Sequence, residues 1–321
     1  MIRSILVIAA LAALSAVPRP ILMADSFLPE NTMKIPVGSL EAKGITQKQF
    51  NEVMDRVEAI YAPEIKARGG VLVLKRLWDN ATVNASAQRM GNNCVLNMYG
   101  GLARHASITQ DGMALVVCHE MGHHIGGAPK YGGAGGQWAS NEGQADYFAN
   151  MKCLRRMFTA EGASFTRPTG DDSGPRAACE QSFKSETDRA MCVRGAMAGM
   201  SVTTLFRVLR NETVLPRFDT PDPAVVGSMF DSHPGTQCRL DTYFAGSVCA
   251  RAVGDAVDEK DPAKGTCTRA GGQTSGFRPL CWYKRPASEP ASADGMALQR
   301  PHPKTPALVS SLQNPEPWLG L

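Results

Sequence analysis

The feature that most constrains this chain is a pair of histidines four residues apart, His119 and His123, with Glu120 between them. Apolar residues before the pair and two glycines after it predict a helix over residues 112–125. On a helix, residues four apart lie about 40° apart around the axis, so both imidazoles can reach one metal ion. A His-Glu-x-x-His sequence on a helix is a strong zinc signal with a defined hydrolytic mechanism.

A second helix, predicted over residues 139–159, supplies the third ligand. It carries Glu142 and, one turn later, Asp146. The intervening loop allows this helix to return antiparallel to the first, which brings Glu142 to the two histidines. Two His and one Glu, with the fourth position left to water, are typical of catalytic zinc sites, whereas structural zinc sites prefer cysteine-rich sets. We therefore expect one Zn²⁺ per chain, bound by His119, His123 and Glu142.

Two further carboxylates have predicted roles around the ion. Glu120 lies about 100° from His119 on the helix, so it flanks the metal and can act as the general base for the attacking water. Asp146 is placed to accept the free ring N–H of a ligand histidine, His119, and so to fix its tautomer. His124 points about 100° away from His123 and is expected to be a packed or surface residue.

These residues resemble the gluzincin metallopeptidases, whose pattern is His-Glu-x-x-His followed by Glu-x-x-x-Asp. Within that group the chain is most similar to the HtpX-like and CAAX-prenyl-protease-like family, including its soluble periplasmic members. The resemblance covers roughly residues 70–245 and includes a downstream Ser-His-Pro element at His233, with Arg239 after it.

The resemblance implies roles that the residues alone do not. It supports Glu142 as the third ligand. It places His233 or Arg239 beside the metal, where either would steady the oxyanion or the vacant coordination position. It also implies that the strand at residues 94–99 is an edge strand that receives an extended substrate by strand addition. The substrate-binding residues would then be Val95, Leu96, Asn97, Met98 and Tyr99.

The order of elements predicts an α+β fold that is mainly helical and has a small, mostly antiparallel sheet. The resemblance makes this a zincin-like metallopeptidase domain with its edge strand lining the cleft. Hydrophobic periodicity and breaker residues predict further helices at 46–67, at 185–209 and just after Pro234, strands at 71–78, 81–87 and 94–99, and a polar loop at 160–184.

The two ends of the chain differ in composition from its centre. Residues 1–24 have a short basic start and an apolar run too short to span a membrane, which is typical of a signal peptide cleaved after Ala16 or Ala24. We expect residues 25–285 to form the metallopeptidase domain with its Cys-rich C-terminal part, and the Pro-, Ser- and Ala-rich residues 286–321 to be a disordered tail. We expect an exported protein, periplasmic or secreted, without stable membrane insertion after cleavage.

Nine cysteines agree with export, because disulfides form in oxidising compartments. No Cys-x-x-Cys is present, which argues against a thiolate zinc site. Cys238/Cys249 and Cys267/Cys281 are plausible local pairs, although the sequence leaves the connectivity open, and the odd count makes Cys118 the candidate for a free thiol.

The leading functional prediction is an exported zinc metalloendopeptidase that cleaves proteins or peptides in an extended conformation. The net charge of +4 and the absence of Lys/Arg runs exclude a nucleic-acid partner. Two alternatives stay open: a non-catalytic, zinc-containing peptide-binding or chaperone-like module, and a zinc amidase acting on cell-wall peptides. Autoinhibition is a further hypothesis. In it, residues 286–321 or the Gly-rich loop at 128–137 cover the cleft, and His233 takes the open coordination position of the zinc.

Overall fold

Helices surround a small sheet in the computed structural model, which describes residues 21–132, 137–162 and 173–287. The α+β class is confirmed. Most of the predicted leader and tail, and the centre of the Gly-rich loop, lie outside these residues. The strands are β1 (Ile21–Ser26), β2 (Val71–Leu77), β3 (Ala85–Met90) and β4 (Asn93–Tyr99). The helices are α1 (Gln47–Ala67), α2 (Gly100–Ala103), α3 (Gln110–Ile125), α4 (Glu142–Phe148), α5 (Arg155–Glu161), α6 (Ser173–Ser182), α7 (Glu186–Leu209) and α8 (Thr236–Val248), and a π-helical segment (Ala149–Leu154) joins α4 to α5.

The sheet has the order β1-β3-β4-β2. β3 pairs antiparallel with both β1 and β4, whereas β2 and β4 are parallel, so the prediction of a mostly antiparallel sheet is confirmed. β3 begins four residues later than predicted. Asn80 Oδ1 accepts from Thr82 N, and Asn84 Oδ1 accepts from Leu28 N and Ala85 N. These local side-chain bonds hold residues 80–84 in turns and delay the strand.

The predicted role of residues 94–99 as the edge strand is wrong. β4 pairs with β2 from Asn93 to Tyr99 on one side and with β3 on the other. It is therefore an interior strand with no free backbone groups to offer a substrate along its paired length. A continuous apolar run is typical of a strand buried on both faces, which fits this position. Four of the five predicted substrate-binding residues are buried, and Tyr99 is half-buried; the five are Val95, Leu96, Asn97, Met98 and Tyr99.

α1 begins and ends as its sequence predicts. Thr46 accepts from Gln49 N while the Gln49 side chain accepts from Thr46 N, which is a capping box. The helix buries one apolar stripe and ends before Gly69, whose φ of 78° suits glycine best. This stripe packs on α3 and thereby supports the helix that carries the histidine pair.

α3 is the central helix of the domain. All its residues from Gly112 to Ile125 are buried. It packs against α1, α4, α7 and the face of β3 and β4. A helix that is enclosed on every side needs apolar residues all round, which explains its weak amphipathic pattern.

The predicted polar loop at 160–184 contains an additional helix, so that prediction is wrong in part. α6 begins at Ser173 and is joined to α7 by a disulfide between Cys179 and Cys192. A ten-residue helix is marginal by itself in water, and this one buries only Pro175 and Cys179. The covalent link and packing on α7 and α8 stabilise it in the folded protein.

The disulfide predictions are also wrong, although the use of cysteine for disulfides is confirmed. Cys118 is paired and Cys94 is the buried free thiol. The local pairs fail because the C-terminal segment returns across α8 and α4, so that partners are set by spatial proximity. Trp282 of this segment is fully buried against Gly143, where an added Cβ would lie 2.2 Å from the indole ring. The remaining pairs are Cys118–Cys153, Cys238–Cys281 and Cys249–Cys267.

Candidate metal centre

Two helices in close contact build the centre. The Thr109 side chain caps α3, and the Asn141 side chain caps α4 by accepting from Gln144 N at 3.0 Å. A Cβ added to Gly122 would lie 3.0 Å from Ala145 Cα, so the absence of a side chain there allows the helices to approach. This close contact carries the first turn of α4 to the histidine face of α3.

The structure brings the three predicted ligands together. His119 Nε2 lies 3.4 Å from Glu142 Oε2, and His123 Nε2 lies 3.5 Å from Glu142 Oε1. One potential ligand atom from each of the three residues lies within 4.8 Å of the other two. Tetrahedral bonds of about 2.0–2.1 Å to zinc would place two ligand atoms about 3.3 Å apart. The spacing therefore suits a zinc ion with little movement of the side chains.

Unpartnered polar atoms give an independent test of this fit. The three residues are fully buried, yet His119 Nε2, His123 Nε2 and Glu142 Oε2 have no hydrogen-bond partner. A buried polar atom without a partner costs about 1–3 kcal/mol, so three that converge on one point indicate a missing bound species. A divalent cation satisfies all three.

The Nδ1 atoms of both histidines are engaged in hydrogen bonds, and this leaves the Nε2 atoms available for a metal ion. His119 Nδ1 lies 2.6 Å from Asp146 Oδ1, as predicted for that carboxylate. His123 Nδ1 donates to the Ser140 carbonyl at 2.8 Å. Tyr131 Oη donates to Glu142 Oε1 at 2.7 Å. These contacts fix the tautomers and orient the carboxylate. The roles of Ser140 and Tyr131 were missed, because neither residue belongs to a recognisable motif.

Asp146 is the most heavily hydrogen-bonded carboxylate of the centre. Arg239 donates to both of its oxygens, from Nε at 2.8 Å and from Nη2 at 2.7 Å, and Tyr243 Oη donates to Oδ1 at 2.7 Å. Burial alone would raise the pKa of Asp146, but Arg239 and His119 outweigh it and lower the pKa. Tyr243 lies one turn after Arg239 on α8, a spacing visible in the sequence but without a motif to identify it.

Glu120 contrasts with these residues. It is fully buried, and neither carboxylate oxygen has a partner. Burial raises its pKa to about 8. A carboxyl group kept unpaired beside a candidate metal centre is a typical feature of a functional site, because it is costly for stability. Its role as the general base stays a prediction.

The charges of the metal-free centre are divided unequally between the two histidines. Burial alone would lower the pKa of His119, but Asp146 and Glu142 raise it to about 9. Burial lowers the pKa of His123 to about 4. In the absence of a metal, His119 is therefore the cation that balances Glu142. Burial alone would raise the pKa of Glu142, but the contact with His119 lowers it.

His233 and Arg239, which the resemblance places beside the metal, both lie beside Glu142, the predicted third ligand. His233 Nε2 is 3.6 Å and Arg239 Nη2 is 3.7 Å from Glu142 Oε2. The Arg239 guanidinium is fully buried and bonded to Asp146 and to the Phe27 carbonyl, so it positions other groups. His233 Nε2 donates to the Ser26 carbonyl at 2.6 Å.

His124, the neighbouring histidine, is not part of the centre. Its ring lies 4.7 Å from that of Trp138 and is buried on the other side of α3.

A second group of possible ligands, Asp222 with Cys238 and Cys281, offers no thiolates because the two cysteines are bonded to each other.

Comparison with models of known families, with curated proteins and with solved structures gave no match. The geometry of the centre therefore carries the functional argument.

Proposed function

We propose that this protein is an exported zinc-dependent metalloendopeptidase of zincin-like type that hydrolyses peptide bonds in extended protein or peptide substrates. The observation that carries the proposal is the convergence of three unpartnered ligand atoms, from His119, His123 and Glu142, next to the unpaired carboxyl of Glu120. When bound, zinc would supply a Lewis acid and an activated water for attack on the amide.

Glu120 moves the proton in the proposed reaction. Its carboxylate accepts a proton from the attacking water and then donates it to the nitrogen of the leaving amine. A general acid–base residue works best with a pKa near the operating pH, and burial brings the pKa of Glu120 to about 8 in the metal-free centre. A nearby cation favours the carboxylate form that the first step requires.

The surrounding residues hold the centre in place. Asp146 keeps His119 in one tautomer, Arg239 and Tyr243 hold Asp146, and Tyr131 orients Glu142. His233 carries an N–H close to Glu142 that can donate to the oxyanion of the substrate carbonyl. Arg239 contributes through Asp146, because its own donors are already occupied.

The substitution Glu120→Gln tests the reaction. It removes the proton acceptor and keeps the shape, so we expect a loss of about 10²–10⁴-fold in cleavage rate with zinc content unchanged. The assay is zinc stoichiometry together with digestion of a peptide library, denatured protein and peptidoglycan, each with and without chelator. His119→Ala should lose zinc as well as activity.

Glu41→Gln is the matched control, since Glu41 is exposed and far from the motif in sequence. It should behave as the unmodified protein. Retained cleavage by Glu120→Gln would contradict the mechanism, and cleavage of peptidoglycan alone would favour the cell-wall amidase.

One observation favours a non-catalytic alternative. Every ligand of the centre is fully buried, as in closed structural zinc sites. A zinc-containing peptide-binding module would bind zinc and peptide stoichiometrically and show no chelator-sensitive cleavage. The unpaired Glu120 argues for catalysis, because a structural site has no use for a buried carboxyl without partners.

Export is supported by the covalent structure. Four disulfides join described residues, which indicates folding in an oxidising compartment. No helix in the described ranges is long and apolar enough to cross a membrane. Because the disulfides and the predicted signal peptide point the same way, we propose that the protein is periplasmic or secreted.

A further inference from the structure

The candidate metal centre is fully buried, and the chain's own N-terminal segment packs against it. His119, Glu120, His123 and Glu142 are all 0% exposed, so the carbonyl group of a polypeptide substrate cannot reach them in this arrangement. Part of the covering layer must leave before the proposed reaction can occur. Ser26, at the end of β1, and Phe27 after it contact residues of the centre and belong to this layer.

Backbone carbonyl groups of this segment accept hydrogen bonds from the two side chains beside Glu142, His233 and Arg239. His233 Nε2 donates to the Ser26 carbonyl at 2.6 Å, and Arg239 Nη1 donates to the Phe27 carbonyl at 2.9 Å. The Phe27 ring contacts His119 edge-on, with 4.9 Å between ring centroids. Two consecutive peptide carbonyls thus occupy donors beside the centre, as the backbone of an extended substrate would.

β1 also fills the edge of the sheet next to the metal centre. It pairs antiparallel with β3, and the pairing continues beyond the strand through Phe27 N, which donates to the Ala85 carbonyl at 3.0 Å. β3 packs directly on α3, the helix of the histidine pair. The opposite edge, β2, is separated from β3 by β4. Without β1, β3 would present the free edge that strand addition requires.

We propose that residues 21–26 occupy the binding position of an extended peptide substrate and act as an internal inhibitory strand. A substrate would pair antiparallel with β3 and take over the His233 N–H from the Ser26 carbonyl. This inference rests on the proposed function for its catalytic consequence. Its structural content, competition between β1 and a peptide for β3, can be tested separately.

The predicted processing sites give this strand a role in activation. The register of β1 on β3 shifts between Met23 and Ser26, so the bond after Ala24 lies in an irregular part of the pairing. Cleavage after Ala24 would remove the pairs that Ile21, Leu22 and Met23 make with β3, so that a substrate could displace Ser26 and Phe27, which remain. Cleavage after Ala16 would leave β1 in place and the centre closed. The position of cleavage therefore decides between an active and a latent form.

Two forms of the protein, one beginning at residue 17 and one at residue 25, test this role. The probe is a peptide hydroxamate, an extended peptide with a zinc-binding end group, whose binding needs no catalysis. If β1 leaves β3 in about one molecule in ten, the longer form binds the probe about tenfold more weakly. We expect at least this difference in Kd and a matching difference in kcat/KM. A synthetic peptide of residues 21–26 should compete with the probe on the shorter form, and a scrambled peptide should not.

A reversible cross-link tests the same point within one chain. Met23 and Gln88 are directly paired across β1 and β3, which places their Cα atoms within disulfide range. The double variant Met23→Cys/Gln88→Cys of the longer form should lose probe binding when oxidised and regain it under mild reduction. Met23→Cys alone, treated identically, is the control.

The outcomes separate the inference from the proposed function. Equal probe affinity in the two forms, or unchanged binding by the locked form, would overturn the inhibitory strand even if the protein is a peptidase. Affinity that responds to β1 without any cleavage would uphold the strand and reject the peptidase. If the shorter form does not fold, the cross-linked longer form decides.

Discussion

The two sides of the metal centre treat their polar atoms in opposite ways. On the inner side, Asp146 receives hydrogen bonds from Arg239 and Tyr243 and contacts His119. On the outer side, Glu120 and the three candidate ligand atoms are equally buried but have no partner. The residues on the two sides are equally buried, so they differ only in whether their polar atoms have hydrogen-bond partners. The inner side stabilises and orients the centre, while the outer side holds the atoms that we propose for a metal ion and a substrate.

This contrast predicts different consequences for substitutions on the two sides. Removing an inner donor leaves a buried charge uncompensated and should unfold or loosen the protein. Changing an outer group to a neutral isostere removes chemistry and costs little stability.

Arg239→Ala should have the largest effect on stability. It leaves the buried Asp146 carboxylate without two hydrogen bonds, so we expect a loss of about 3–5 kcal/mol in the free energy of unfolding. Zinc affinity should fall about 10–100-fold, because His119 loses its orientation. Chemical denaturation and competition with a zinc indicator measure the two quantities. Arg217→Ala, at an exposed ion pair, should change stability by less than about 1 kcal/mol. A stable Arg239→Ala variant with normal zinc affinity would contradict the distinction between the two sides.

Removal of the Cys118–Cys153 disulfide should come next in size. It joins α3, one residue before His119, to the π-helical segment that follows α4. For a separation of 35 residues, loss of the cross-link costs about 3–4 kcal/mol in the chain-entropy model. Thermal unfolding of Cys118→Ala/Cys153→Ala measures this. Cys94→Ala, at the buried free thiol, forms the comparison and should cost roughly 1 kcal/mol or less. Similar losses in both variants would show that packing, rather than the cross-link, holds the helices.

The smallest predicted effect is a pH dependence of the metal-free protein. The folded pKa values of His119 and Glu120 are raised, to about 9 and about 8. A group with a raised pKa stabilises the folded state while it is protonated and loses that contribution as pH rises through the folded value. Between about pH 6.5 and 9 stability should therefore fall, because His119 loses its proton over this range and Glu120 completes, by about pH 8, an ionisation that begins near pH 4.5.

Other groups of the centre titrate outside that window. The pKa values of Asp146 and Glu142 are lowered, and burial lowers that of His123 to about 4, so their stability changes lie at acidic pH. Denaturation of the chelated protein at several pH values gives the slope, and Glu120→Gln should reduce it. A stability that rises from pH 6.5 to 9 would show that the outer side is not protonated as described. Zinc should remove the dependence, because bound histidines are deprotonated.

Short-range patterns predicted the site helices and the ligand set. The spacing of His119 and His123 fixes their common face on any α-helix, and Glu142 with Asp146 repeats that argument on the next helix. The contact of Asp146 with His119 was predicted for the same reason. Pairings between distant segments were not predicted correctly. Cys118 was expected to be free, and the strand at 94–99 was expected at an edge, because both depend on elements far away in the chain.

By itself, the sequence determined which residues can meet on one helix face and where most helices begin and end, and it predicts that the site they form binds zinc. Helical periodicity and capping act over a few residues and can be read locally. Only the tertiary structure decided which polar atoms of those residues have hydrogen-bond partners and which have none. It also decided that β1, from the end of the predicted leader, covers the edge beside the centre. Strand order and burial depend on contacts between distant parts of the chain, and no local pattern specifies them.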